Sequence, residues 1–185
     1  MKPNILDNPE IKNHISLISL ESYHKMLESG FVSEKTELIE GVIFEKMTKS
    51  PEHSYYSNLL FELLSNLKPK GTVIVRENPI SILNSEPEPD IMVLEGKLSD
   101  FKNTNPKTAV LIVEIAKTSL SLDREKIPLY ATANVLNYWI LDIDKMQIEV
   151  YTNPFENNYK QKTIYNQTES ILIFESSIDL KELFG

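Results

Sequence analysis

The stretch Ala109 to Ile115, AVLIVEI, constrains the fold of this chain more than any other. It is almost wholly apolar and rich in β-branched residues, the composition of a strand covered on both faces, which belongs in the middle of a sheet. Helical spacing returns from Asp123 to about Ala133, and YWILDI, Tyr138 to Ile143, forms a second short apolar strand. Strand, helix and strand within about thirty residues read as a crossover joining parallel strands. The expected class is α/β (α+β), a mixed β-sheet flanked by helices.

The flanking segments supply the rest. Leu20 to about Ser29 reads as a leading helix capped by Ser19 and stopped at Gly30. Glu37 to Phe44 reads as a hairpin turning at Glu40-Gly41. Tyr56, Leu59, Leu60, Leu63, Leu64 and Leu67 recur at helical spacing, with Ser50 as N-cap, Pro51 at the first helical position, and Pro69 and Gly71 closing the end. Thr72 to Val75, continuing to Ile80 and Ile82, and Asp90 to Leu94 are further strands. Gln147 to Thr152 and Ile171 to Phe174 read as antiparallel additions to the sheet, the Asn-rich stretch near Asn157 as a surface loop, and Leu180 to Phe184 as a terminal helical turn.

Composition narrows the function. With 41% hydrophobic and 25% charged residues the 185-residue chain is globular, and its length suits one domain over 1–185. Met1 to Asn13 is polar, and no apolar run approaches the ~20 residues of a membrane span. A cytoplasmic protein without membrane attachment is expected. The absence of cysteine excludes disulfides, thiolate zinc sites and thiol nucleophiles, so any metal is held by oxygen or imidazole. A net charge of −8 opposes a broad electrostatic grip on nucleic acid.

Two acidic residues stand out. Asp90 begins a strand after the turn-forming SEPEP, and Glu114 sits near the end of the otherwise apolar run. A carboxylate at the end of a buried strand is costly unless paired or bound to a cation. Two on neighbouring strands would converge on one point and suit Mg²⁺, which takes one or two carboxylates, better than zinc. Crowded in this way without a metal, they would repel, and neutralising either would relieve the fold. The alternative is a structural ion pair of Glu114 with Lys126 or Arg124.

SLESYHKMLESG, ELIEGVIFEKM, KSPEHS, ENPISI…SEPEPDIMVL, LIVEIAKTSL, DREKIPLY and NYWILDID together resemble, in order, the signature segments of the Uma-two family of restriction-endonuclease-like proteins, over roughly residues 17 to 145. The resemblance implies the PD-(D/E)XK nuclease fold, a mixed sheet flanked by helices. It makes Asp90 the first metal ligand, Glu114 the second and the Ile115 carbonyl a third contact. An acidic-x-Lys spacing would put lysine at position 116, where Ala116 stands, and strand alternation turns Lys117 away from Glu114. The resemblance supplies the lysine from the following helix instead, as Lys126. Glu37 matches a further family position and can join the metal site or pair with a lysine, whereas Glu40 is a turn residue. His53, in SPEHS, is a candidate beside the cleft or a structural histidine. Tyr130, Tyr138 and Trp139 match family positions and are expected in the core.

The expected function is a metal-dependent endonuclease using Mg²⁺ or Mn²⁺ on phosphodiester bonds, with DNA as partner and homodimerisation by family analogy. Two other readings stay open: a catalytically silent homodimeric interaction module that keeps the fold, and a metal-dependent hydrolase of small phosphate esters.

Overall fold

The computed structural model describes Glu10 and residues 14–185, so most of the polar stretch Met1 to Asn13 lies outside the described residues. The chain divides into two compact units, Met1–Lys46 with Leu83–Glu86, and Met47–Ile82 with Pro87–Gly185.

In the first unit, helix α1 (Leu20–Glu28) is capped by Ser19, whose side chain accepts from the Ser22 N–H. Strands β1 (Thr36–Ile39) and β2 (Val42–Glu45) form the expected hairpin, with Glu40 and Gly41 both at positive φ, as a tight two-residue turn demands. Gly41 is also required by space. A Cβ there would lie 2.7 Å from Leu17 Cβ and 2.8 Å from Asn84 Nδ2. Asn84 ties the hairpin to α1, accepting from Leu20 N and donating to the Ile18 carbonyl.

The second unit is built on a six-stranded sheet in the order β3 (Thr72–Arg76), β4 (Ile91–Glu95), β5 (Leu111–Ala116), β6 (Asn137–Asp142), β7 (Gln147–Phe155), β8 (Asn158–Asn166). Neighbours are antiparallel except β5 and β6, the parallel pair expected from the crossover. All six residues of β5 are buried, as its composition demands. Alternation sends Leu111, Val113 and Ile115 to one face, where they form a core with Leu60 and Leu64 of helix α2 (Pro51–Leu67). Glu114 therefore points to the other face, which carries Tyr138 and Tyr151 and is covered by α3 (Leu120–Glu125) and α4 (Ile127–Thr132).

Several expectations change in detail. β3 stops at Arg76, because Glu77 takes a positive φ and Pro79 follows; Ile80 and Ile82 are buried outside any strand. The helix expected from Asp123 to Ala133 is two short helices, with Lys126 at their junction and Pro128 in the first turn of the second. The Asn157 stretch is a turn inside a long hairpin, and β8 escapes notice because an edge strand with mostly exposed residues has no apolar periodicity. Ile171 to Phe174 does not extend the main sheet. Its strand β9 (Ser170–Ile173) pairs with β10 (Ser176–Asp179) in a separate two-stranded sheet, followed by helix α5 (Leu180–Phe184). Among the described residues no helix is long and apolar enough to cross a membrane.

Candidate active site at the ends of β4 and β5

Asp90 stands one residue before β4. Ile91 pairs with Val113, so Asp90 lies just beyond the last paired position, at the end of β5 that carries Glu114. Both carboxylates are buried, at 7% and 4% exposure. Each is met by its own set of donors.

Asp90 Oδ2 accepts from the Ile115 main-chain N–H at 2.9 Å and from His53 Nε2 at 3.1 Å; Oδ1 accepts from Lys49 Nζ at 3.1 Å. Burial pushes the Asp90 carboxyl up, but the His53 hydrogen bond and charge, the Lys49 charge and the Ile115 N–H together hold it below the ordinary carboxylate value. The reciprocal effect acts on Lys49: burial lowers it, and Asp90 with Glu77, 2.9 Å away, outweighs that and raises it. His53 is placed by the first turn of α2, where its N–H donates to the Ser50 cap and its ring turns toward Asp90. Its Nδ1 is buried and, among the described residues, has no hydrogen-bond partner. With the carboxylate ionised, Nε2 is the donor.

Glu114 Oε1 accepts from Lys126 Nζ at 3.1 Å and from Tyr130 OH at 2.9 Å. Lys126 also lies 3.6 Å from Asp123 Oδ1. All four side chains are buried. The break between α3 and α4 is what aims Lys126 at the sheet, and Tyr130 follows one turn later on α4. A second anchor lies on β7. Fully buried Glu149 holds Arg124 of α3 through two hydrogen bonds, accepts from Tyr151 OH at 2.5 Å and pairs with Lys162 at 3.0 Å.

The structure thus brings Asp90, His53 and Ile115 together, and Glu114 with Lys126, in one unit. Lys117 does turn away from Glu114 and pairs with Glu52 of α2. Glu37 lies buried on β1 in the other unit, and Glu40 is in the hairpin turn. Tyr130, Tyr138 and Trp139 are core residues, yet Tyr130 also meets Glu114. Sequence reasoning missed Lys49, although it heads the KSPEHS segment, and missed the Tyr130 hydroxyl and Glu149. Only the tertiary contacts give these residues partners.

Among the described residues no three His, Cys, Asp or Glu side chains gather into a metal-binding group. Asp90 and Glu114 each offer carboxylate oxygen, the donor type that a hard cation such as Mg²⁺ takes together with water and phosphate oxygen.

Comparison with known proteins gives a consistent fold. A sequence model of the Uma2 family, described as "Putative restriction endonuclease", matches residues 20–180. The chain is also similar to a crystal structure from Anabaena variabilis described as "a putative nuclease belonging to DUF820", with a TM-score of 0.76 at 19% identity, covering 90% of this chain and 97% of that one. At that identity the likeness speaks for the fold. No curated protein matches the chain.

Proposed function

The chain belongs to the Uma2 family, and on that premise we propose that it is a divalent-metal-dependent endonuclease hydrolysing phosphodiester bonds, with DNA as its substrate. The observation that carries this reading is two buried carboxylates where β4 and β5 meet, Asp90 bonded to the Ile115 N–H next to Glu114, with Lys126 delivered to Glu114 from another element. Asp90, Glu114 and the Ile115 carbonyl would hold Mg²⁺ or Mn²⁺. Such an ion supplies an acidified water and positive charge for the phosphate.

The chain's own residues prepare that site. The Ile115 N–H and His53 fix the orientation of Asp90, and the lowered pKa of its carboxyl keeps it an anion at neutral pH. Tyr130 fixes Glu114 in the same way. Lys126, buried and already desolvated, is a preorganised cation that can stabilise charge developing on a phosphate beside Glu114. The Glu149–Arg124 contact holds α3 against the sheet and so sets where Lys126 begins.

The deciding experiment is Mn²⁺- or Mg²⁺-dependent cleavage of plasmid, single-stranded DNA and RNA, with Asp90→Asn as control. Cleavage lost in the variant supports the reading. Robust cleavage by Asp90→Asn overturns it. The net charge of −8 favours a second reading, a catalytically silent homodimeric module, which predicts no cleavage of any nucleic acid or small phosphate ester by the unmodified chain.

A further inference from the structure

A surface groove of about 570 Å³ lies between the start of α2 and the turn joining β6 to β7. Tyr55 and Tyr56 line one side, and Ile143, Asp144 and Met146 the other. The two tyrosine rings meet edge to face at 5.3 Å. Tyr56 is held from behind by Phe184, whereas Tyr55 is 61% exposed. The helix that presents them also presents His53 to Asp90, and Glu52 on the groove wall pairs with Lys117, three residues beyond Glu114. Ile143 on the opposite wall bonds through its N–H to the Ala116 carbonyl. The groove therefore opens at the carboxyl ends of the parallel strands β5 and β6, the position at which open α/β sheets commonly bind ligands.

We propose that this groove is a nucleobase site, in which Tyr55 stacks on the base of an unpaired nucleotide and so directs the enzyme to single-stranded or locally opened nucleic acid. The occupant rests on the nuclease reading above; its chemistry comes from the groove. An exposed phenol ring in a groove that Ile143 and Met146 also line offers a π-face and contact area, and a base offers both only when unstacked from a duplex. Asp144 adds a carboxylate acceptor to the lining, which complements the exocyclic amino groups of bases and repels phosphate. Lys117 and Lys145 stand next to the groove residues and can meet the flanking phosphates. A chain of net charge −8 cannot draw its affinity from broad phosphate neutralisation, so base stacking is the affordable source.

The test uses the full chain in EDTA, so that binding is read without cleavage. Single-stranded and duplex oligonucleotides carrying 2-aminopurine are titrated with wild type, Tyr55→Phe and Tyr55→Ala, with thermal melting to establish that each variant is folded. The expected result is quenching and tight binding for the single strand, weaker binding for the duplex, a loss of roughly tenfold in Tyr55→Ala and near-wild-type behaviour in Tyr55→Phe. Equal affinity of wild type and Tyr55→Ala, preference for duplex, or a change confined to self-association would overturn the proposal. Cleavage measured separately in Mn²⁺ keeps the two readings apart. A chain that binds single strands through Tyr55 but never cleaves them removes the catalytic reading alone. One that cleaves while Tyr55→Ala binds unchanged removes the base site alone.

Discussion

Asp90 Oδ2 accepts a hydrogen bond from the main-chain N–H of Ile115, the residue that follows Glu114 on the adjacent strand. Through this contact the last turn before β4 is locked to the buried end of β5, and the backbone joins His53 and Lys49 in holding the Asp90 carboxylate.

Asp90→Asn keeps the shape and an oxygen for Ile115 but removes the anion. Mn²⁺ affinity measured by calorimetry should fall by at least ~10–100-fold. Crowded carboxylates alone suggest that neutralisation would stabilise the metal-free fold. The surroundings reverse that sign: His53 and Lys49 already hold the Asp90 carboxyl below its ordinary pKa, so its charge is favourable and Asp90→Asn should melt lower. Unchanged Mn²⁺ binding would remove Asp90 from the metal site.

Lys126→Met and Lys117→Met should separate cleanly. Lys126 is buried against Glu114 and Asp123, so its loss should lower any metal-dependent cleavage by ~10²–10³ and cost roughly 3–5 kcal/mol of stability, read as a lower melting temperature. Lys117 makes a half-exposed pair with Glu52, worth at most about 1 kcal/mol, and Lys117→Met should keep most of the cleavage rate. The reverse pattern of rates would refute the lysine assignment.

Tyr130→Phe removes one donor from Glu114 and leaves Lys126 in place. A cost of roughly 1–3 kcal/mol is expected in denaturant titration, because a hydrogen bond to a buried charged group is lost without a water to replace it. A variant as stable as the parent would show that the Tyr130 hydroxyl does not support Glu114.

Glu149 predicts an acid limb. Burial raises its carboxyl, but the bonds from Arg124, Tyr151 and Lys162 carry it down to about 2. A depressed carboxylate stabilises the fold above its unfolded value, near 4.5, and that stability is lost as pH falls from there toward about 2. Half-exposed Arg124 and Lys162 screen the effect to roughly 2 kcal/mol. Glu149→Gln should therefore be less stable at pH 6 than the parent and converge with it near pH 2; parallel curves across that range would contradict the account.

The expected homodimer can be read directly by light scattering. A monomer at every accessible concentration would end that expectation and weaken the silent-module reading, which depends on self-association.

What the amino-acid sequence determined by itself was local. The apolar run of β5 read as a central strand, the capped leucine pattern as α2 and Glu40-Gly41 as a turn, and each stands so in the fold. Strand alternation even separated Lys117 from Glu114 correctly. These features are written in one segment at a time, because burial of a strand or helix leaves its own period in the chain. The tertiary structure decided what periodicity does not encode: which donors from remote segments meet each carboxylate. Lys49 reaches Asp90 and Tyr130 reaches Glu114 across 41 and 16 residues of chain, and the break at Lys126 aims its ammonium at the sheet. The edge strand β8 and the separate β9–β10 pair were likewise settled only by packing, since exposed or short strands take their pairing from their neighbours rather than from a pattern of their own.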